Sequence, residues 1–176
     1  MKMQDTRDIR ADRSVVFAAI LDPEILKDCI PGAESVTGDV TSGYEAVVTQ
    51  KVGPVKATFK GAVQMSEIVQ DERLTISGEG KGGAAGFAKG EAVVTLEEIE
   101  PGLTRLSYDV EAKVGGKLAQ LGSRIIDGFA KKMADQFFDR LKAGLEPEPE
   151  GGAAAEGEAE APVKKAGWLK RITGRG

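Results

Sequence analysis

Apolar and polar residues alternate with a period of two along five stretches between positions 43 and 114. In the stretch from 55 to 65, Val55, Phe59 and Met65 stand at odd positions, while lysine, threonine and glutamine fill most even ones. Such alternation is typical of strands that place one face against a core and the other in water. The breaks carry turn-forming residues and are too short for helical crossovers, so the pattern predicts an antiparallel meander.

A different pattern flanks these strands. Residues 2–10 predict an extended segment, and Asp12 is a candidate N-cap for a two-turn helix. Pro23 suits the first turn of a second short helix, which should end before Pro31-Gly32. Beyond Gly116 the apolar period becomes 3.6, which predicts one helix of roughly 25 residues. Its apolar stripe consists of Leu118, Leu121, Ile125, Phe129, Met133, Phe137 and Leu141.

The long helix must cover the apolar face of the sheet, because no other part of the chain can do so. We therefore predict an α+β fold over residues 1–145, in which a curved antiparallel sheet is wrapped around a long C-terminal helix. Residues 146–163 form an acidic linker rich in proline, glycine and alanine. This linker should be a flexible, disordered coil, because it cannot bury enough apolar surface to fold.

The final segment, residues 164–176, is basic and amphipathic. Its apolar side chains can enter a lipid interface while its cations meet anionic headgroups. We expect this tail to contact a membrane; docking into a protein groove and plain disorder are the alternatives. The residues expected at the membrane are Lys164, Lys165, Trp168, Leu169, Lys170, Arg171 and Ile172.

The amino-acid composition limits the catalytic and metal sites that the chain can form. The 176 residues contain no histidine and one cysteine, Cys29, which excludes Ser–His or Cys–His nucleophile pairs and the usual zinc sites. We expect no catalytic residue, no metal and no enzyme activity. The formal net charge is −4, and the basic residues form no patch outside the C-terminus, which disfavours nucleic-acid binding. The chain has no secretory signal and no apolar run long enough to span a bilayer.

Small residues at inward strand positions favour an internal space. Ala57, Gly61 and Ala92 are among them, and Gly122 and Gly128 thin the helix on the other side. Either the helix packs closely on the sheet or an apolar cavity remains, and a cavity of ligand size is a candidate binding site. The expected ligand-binding residues are Phe59, Phe87, Val94, Tyr108, Ala112, Leu121, Ile125, Phe129 and Met133.

The glycine-rich stretch at 78–90 does not fit a phosphate-binding loop. It lacks the Gly-Lys-Ser/Thr ending, and a strand rather than a helix follows it. We expect a hairpin rim in which glycines permit sharp bends, with Phe87 as a mobile apolar lip at the cavity mouth. Cys29 is expected to be a small buried side chain before a turn.

Four separated motifs carry a more specific signal. They are CIPG at 29–32, KVGPVK at 51–56, SGEGKGGAAGFAKG at 77–90 and VGGKLAQLGSR at 114–124. Together they resemble the CoxG family of carbon monoxide dehydrogenase subunits, within the helix-grip fold of the START/Bet v 1-like (SRPBCC) superfamily. The resemblance covers nearly all of residues 1–145. It implies an accessory protein of an aerobic molybdenum-containing dehydrogenase, acting at the cytoplasmic membrane with a lipid-like or quinone ligand.

Three functions compete on this basis. The first is a non-enzymatic adaptor, cytoplasmic and peripheral at the inner face of the cell membrane. It would bind a quinone (menaquinone or ubiquinone) and recruit a molybdenum-containing carbon monoxide dehydrogenase for electron delivery. The second is a pure membrane anchor or assembly factor without a small-molecule ligand. The third is an enzyme of the superfamily, which the absence of histidine disfavours.

Overall fold

The computed structural model describes residues 1–147. Seven strands and four helices, one of them a single turn, follow one another in this region, with a 3₁₀ turn at Gly83–Ala85 between the fifth and sixth strands. In chain order they are β1 (Lys2–Ile9), α1 (Arg13–Leu21), α2 (Pro23–Cys29), β2 (Ala33–Asp39), β3 (Gly43–Val52), β4 (Val55–Val69), β5 (Arg73–Lys81), β6 (Phe87–Glu100), β7 (Leu103–Gly115), α3 (Lys117–Gln120) and α4 (Ser123–Leu145).

The strands form one antiparallel sheet in the order β1-β7-β6-β5-β4-β3-β2. This confirms the predicted α+β architecture, with the period-two segments as β3 to β7. Strand β2 pairs with β3 but has no clear alternation, since Val36 is its one fully buried residue. The inward residues of β6 and β7 have even numbers, and those of β4 have odd numbers.

Two aspartates fix the entry to the helices. Asp12 stands at the N-cap position of α1, but its carboxylate accepts the backbone N–H of Gly102 (3.1 Å) rather than an amide of the helix. It therefore ties α1 to the β6–β7 turn. The buried Asp22 caps α2, accepting the backbone N–H groups of Glu24 (2.9 Å) and Ile25 (3.4 Å). Cys29 at the end of α2 is fully buried.

The predicted single C-terminal helix is divided in two. Gly122 has φ +90° and ψ 156°, a conformation available almost only to glycine, and it separates the single turn α3 from α4. The break interrupts the predicted stripe, but four of its members on α4, Phe129, Met133, Phe137 and Leu141, still face the sheet or the core. The α4 side chains packed against the core or buried in it are Ala134, Phe137, Phe138, Leu141 and Leu145.

The packed core occupies one end of the molecule. Side chains from α1, β1, β5, β7 and α4 meet there, and α4 contacts both α2 and β1. Its fully buried members include Ile9, Phe17, Leu74, Leu106 and Leu141. At the other end the helix and the sheet diverge around open space.

Candidate functional site: an apolar cavity between the sheet and α4

A cavity of about 540 Å³ lies between the inner face of the sheet and α4. This volume is within the usual range for small-molecule sites. Aliphatic and aromatic side chains dominate the wall. The sheet contributes Val48, Phe59, Ile76, Ala88, Ala92, Val94, Tyr108, Val110, Ala112 and Val114, and α4 contributes Ile126, Phe129, Ala130, Met133, Ala134, Phe137 and Phe138.

The cavity is closed at the core end and open at the other. Along β6, burial increases from the partly exposed Ala88 to Val94, which is 6% exposed. Strand β7 shows the same gradient between Val114 and Tyr108, and α4 shows it between Ile126 and Phe138. These three elements place the more open end of the cavity near the β3–β4 and β5–β6 turns and α3, where Val52 and Leu118 are the buried members of the wall.

Aromatic stacking forms the closed end. The rings of Tyr108 and Phe138 are 5.2 Å apart at their centroids, and Phe137 meets Phe138 edge to face at 5.1 Å. From the β1 side, the guanidinium carbon of Arg7 lies 5.1 Å from the Phe138 ring centroid, within the range of a cation–π contact.

Arg7 also connects the tyrosine to α4. Its Nη2 donates to the Tyr108 hydroxyl (3.1 Å) and to Asp135 Oδ1 (2.7 Å). Burial lowers the pKa of Arg7, but the hydrogen bonds to Asp135 and Tyr108 outweigh this effect, so the pKa is raised. Hydrogen bonds from Lys131 and Arg7 lower the pKa of Asp135. Both groups are therefore charged at neutral pH.

The wall offers little polar chemistry. Among the described residues that line the cavity, Gln50 and Tyr108 are the two with polar side chains. The Gln50 amide donates to the carbonyl oxygen of Pro31, and Tyr108 accepts from Arg7. Within residues 1–147 no group of histidine, cysteine or carboxylate side chains could hold a metal ion. The arrangement suits binding of an apolar molecule rather than acid–base chemistry.

Six of the nine residues predicted for the cavity line it, namely Phe59, Val94, Tyr108, Ala112, Phe129 and Met133. Leu121 and Ile125 lie instead at the rim beside the β3–β4 turn. A Cβ placed on Gly53 would be 3.5 Å from a methyl group of Ile125 and 3.8 Å from one of Leu121. Leu121 ends the turn α3 just before the break at Gly122. Residues four apart drift around a helix of 3.6 residues per turn, so Ile125 falls at the edge of the row that contains Phe129 and Met133 and is 41% exposed, while Ile126 faces the cavity.

Phe87 does not line the cavity either. It has an odd number in a strand whose even positions face inward, so it lies on the outer face of the sheet, 46% exposed. Its ring covers Gly115, where a Cβ would come within 2.2 Å of it. The predicted lip is thus an exposed aromatic residue close to the mouth but on the opposite face. That all nine residues contact a ligand stays a prediction.

Sequence reasoning missed part of the wall. Ile30 and Pro31 reach the cavity from the loop after α2, and Met3 reaches it from the edge strand β1. The parity of β1 could have indicated Met3, since Met3, Arg7 and Ile9 share the inward positions. No local pattern marks the loop residues, because their approach depends on how α2 docks.

The glycine-rich segment forms a tight turn between β5 and β6, as expected for a hairpin rim. Gly86 has φ +116°, and a Cβ there would lie 2.0 Å from the carbonyl oxygen of Gly115. The amide of Gly82 donates to the carbonyl oxygen of Gly86 (2.8 Å), which closes the turn.

The structure corrects the expectation that basic residues cluster only at the C-terminus. Lysines that are far apart in sequence stand opposite one another in the sheet near the cavity mouth, Lys60 beside Lys81 and Lys89 beside Lys113. The predicted membrane-contacting residues between 164 and 176 lie outside the described residues. Within the described part, no helix is long and apolar enough to cross a membrane.

Comparison with known proteins gives the context of this cavity. The family model of the carbon monoxide dehydrogenase component CoxG matches residues 6–146, which confirms the resemblance inferred from the four motifs. No curated protein matches the chain.

Solved structures extend the comparison. A conserved protein from Geobacillus kaustophilus is 27% identical, with a TM-score of 0.76 over 81% of this chain and 93% of that one. A START superfamily protein from Mycobacterium smegmatis is 13% identical, with a TM-score of 0.62 over 82% of this chain and 96% of that one. The second similarity establishes the START-like fold alone.

Proposed function

Because the chain belongs to the CoxG family of carbon monoxide dehydrogenase subunits, we propose that it is a non-enzymatic accessory protein of a molybdenum-containing carbon monoxide dehydrogenase. Its cavity would bind a lipophilic, quinone-like molecule. Its C-terminal segment would bring the dehydrogenase to the cytoplasmic face of the cell membrane. There the enzyme could deliver electrons to quinone.

The observation that carries this proposal is the apolar cavity of about 540 Å³. An interior filled for stability alone would be close-packed, with few voids larger than a water molecule. Here Ala88, Ala92 and Ala112 leave space opposite Phe129 and Met133. Burying an isoprenoid chain on such a wall gains roughly 25 cal/mol per Å² of apolar surface removed from water.

The polar residues of the wall are compatible with a quinone. A quinone presents two carbonyl acceptors on an otherwise apolar molecule, so it needs a donor but no charged partner. The Tyr108 hydroxyl accepts from Arg7, which leaves its own proton as a donor. We propose that Tyr108 donates to a ligand carbonyl, for which its hydroxyl must turn from Arg7 into the cavity, because no polar atom of the described wall residues is exposed there in this structure. A buried carboxylate or amine would instead disfavour such a ligand.

A carrier would also solve a problem of access. A dehydrogenase in the cytoplasm cannot reach a quinone that is dissolved in the bilayer. A small protein with an apolar cavity can shield that quinone from water while it moves to the enzyme. The basic, amphipathic residues 164–176 supply a means of membrane recruitment, and the residues between them and α4 supply the reach.

Extraction of lipophiles tests the ligand. The full-length protein would be purified without detergent from cells that make quinone, and its organic extract would be analysed by mass spectrometry. We expect near-stoichiometric quinone from the wild type. Ala112→Phe, which fills the cavity, should lower the yield at least several-fold. The matched variant is Ala62→Phe, since Ala62 is exposed on the outer face of strand β4 and should leave the yield unchanged.

A negative result would have a defined meaning. If the wild type yields no lipophile and takes up none from quinone-loaded vesicles, the ligand assignment is wrong. A pure anchor or assembly factor would then be the better description. Co-purification with the dehydrogenase tests that part separately, because it does not depend on the cavity being occupied.

A further inference from the structure

Eight cations of the body lie in three sequence ranges at the open end of the cavity. Residues 51–60 contain Lys51, Lys56 and Lys60, and residues 81–89 contain Lys81 and Lys89. Residues 113–124 add three more cations, and none of the three ranges contains an aspartate or a glutamate. Six of these eight cations are sequence neighbours of residues that line the cavity. The three cations within residues 113–124 are Lys113, Lys117 and Arg124.

The sheet register places these lysines opposite one another. Lys51 pairs with Lys56, Lys60 with Lys81, and Lys89 with Lys113. Like charges directly across a strand pair destabilise a sheet. Among the described residues, the one ion pair formed by these cations joins Lys81 to Glu79 at 3.6 Å. Lys89 also stands opposite Glu79 in the β5–β6 pair, which offsets part of this repulsion. An anionic partner would offset the rest.

Apolar side chains stand among the lysines. Phe87 lies in the same cross-strand row as Lys60 and Lys81 on the outer face, and it is 46% exposed. Ile125 is 41% exposed at the rim beside the β3–β4 turn. Cations that surround exposed apolar side chains match the interface of an anionic bilayer, where apolar groups enter and cations meet headgroups.

The opposite end of the body differs in charge but not in apolar exposure. The β4–β5 and β6–β7 hairpin ends there carry Glu67, Asp71, Glu72, Glu97, Glu98 and Glu100, which outnumber Arg73 and Arg105 in the same hairpin ends. Ile68 and Ile99 are 42% and 40% exposed at that end. Exposed apolar side chains alone therefore do not distinguish the two ends. The sign of the charge does, and an anionic surface would attract the open end and repel the other.

We infer that the lysine-rich open end of the body is a docking surface for an anionic lipid bilayer, so that the cavity mouth faces the membrane. The inference rests on the proposed function and goes beyond it, because the body itself, and not the C-terminal segment alone, contacts lipid. A mouth in that orientation would let a lipophilic molecule enter the cavity without crossing water.

Tryptophan reporters in the full-length chain test the orientation. Trp168 is the one natural tryptophan, so Trp168→Phe gives a silent background. Into it we would place Phe87→Trp at the lysine-rich end or Ile99→Trp, of similar exposure, at the acidic end. Vesicles of phosphatidylglycerol and phosphatidylcholine in equal amounts, with brominated acyl chains, quench an indole that enters them. We expect quenching several-fold stronger at position 87 than at position 99.

Charge reversal provides a second readout with a matched control. Lys56→Glu combined with Lys117→Glu removes two exposed cations from the open end. Arg10→Glu combined with Arg140→Glu changes the net charge equally, using exposed residues at the acidic end. In sedimentation with the same vesicles, the first pair should weaken partitioning several-fold more than the second. Thermal unfolding should report similar stability for both.

Each other outcome has a distinct meaning. If the protein sediments with vesicles but positions 87 and 99 are quenched equally, the inference is wrong while membrane recruitment by the C-terminal segment stands. If the full-length protein does not bind vesicles at all, the inference and the membrane part of the proposed function both fail. If the lysine variants retain vesicle binding and lose the dehydrogenase, the surface serves an acidic protein and the lipid assignment is overturned.

Discussion

The rings of Tyr108 and Phe138 are stacked 5.2 Å apart with their planes 12° from parallel, and this pair separates the packed core from the open cavity. Arg7 lies over Phe138 and donates to the hydroxyl of Tyr108, so one cation holds both rings from the β1 edge. The depth of the cavity therefore depends on this pair. Changes there should affect stability and ligand binding in different proportions.

Removing the Phe138 ring from the closed end of the cavity should destabilise the protein. Phe138 is 9% exposed and packs on Tyr108 and Phe137, so Phe138→Ala should lower the free energy of unfolding by about 3–5 kcal/mol. Urea denaturation of the apo protein would measure this. Phe87→Ala is the matched control, because Phe87 is half exposed and its loss should cost less than ~1 kcal/mol. Equal losses would mean that Phe138 is not a core residue.

Removing only the tyrosine hydroxyl should separate binding from folding. Tyr108→Phe keeps the stacked ring but leaves Arg7 without one acceptor, which should cost about 0.5–1.5 kcal/mol of stability. If Tyr108 donates to a quinone carbonyl, the dissociation constant measured by calorimetry should rise roughly tenfold, equivalent to ~1.4 kcal/mol. Unchanged affinity would remove Tyr108 from the ligand contacts.

The ion pair between Arg7 and Asp135 predicts a dependence on pH. Hydrogen bonds from Lys131 and Arg7 lower the pKa of Asp135 below its ordinary value of 3.8. Its contribution is therefore fully present above that value and is lost as the pH falls through the lower pKa of the folded state. The stability difference between the wild type and Asp135→Asn should be constant at neutral pH and shrink on acidification below about pH 4. A difference that grows on acidification would contradict this.

Filling the cavity should cost little stability. In a close-packed interior, Ala112→Phe would destabilise the protein by about 1–3 kcal/mol through overpacking. Ala112 lines open space, so we expect a change of less than ~1 kcal/mol together with loss of ligand. Denaturant unfolding of ligand-free protein measures the first effect, and solvent extraction measures the second. A large destabilisation would indicate that the cavity collapses in solution.

The sequence predicted the parity of the strands and most of the inward face of the helix, but not the start of that face. Alternation identified Phe59, Val94 and Tyr108 as inward residues, because a period of two leaves only two choices and polar residues exclude one of them. The helix contains adjacent apolar pairs, Ile125-Ile126 and Phe137-Phe138, that fit either of two faces. In the structure Ile126 lines the cavity and Ile125 does not, whereas Phe137 and Phe138 both line it.

Two other features were beyond local reasoning. Strand β2 carries one buried residue, Val36, and it exists because β3 offers a free edge rather than because its own sequence favours a strand. The lysine-rich end could not be predicted either, since Lys60 and Lys81 become neighbours only through the register of β4 with β5. Composition had indicated an acidic chain without a basic patch.

Deletion of the C-terminal segment should weaken membrane binding strongly. From its composition we predict that the chain from 146 to 163 acts as a tether of roughly 20 residues with a mean reach of about 25 Å. Beyond it, Trp168, Leu169 and Ile172 can enter the interface, and each nearby cation adds about 1 kcal/mol on anionic lipid. Removing all residues after Gly152 should therefore reduce sedimentation with anionic vesicles at least tenfold, and the lysine-rich end would account for the binding that is left.

High salt should abolish binding, since exposed charges are screened within about 3 Å at 1 M. Trp168→Ser, which keeps every cation, should give an intermediate loss. If truncated and full-length proteins partition equally, or salt has no effect, the membrane role of this segment is wrong.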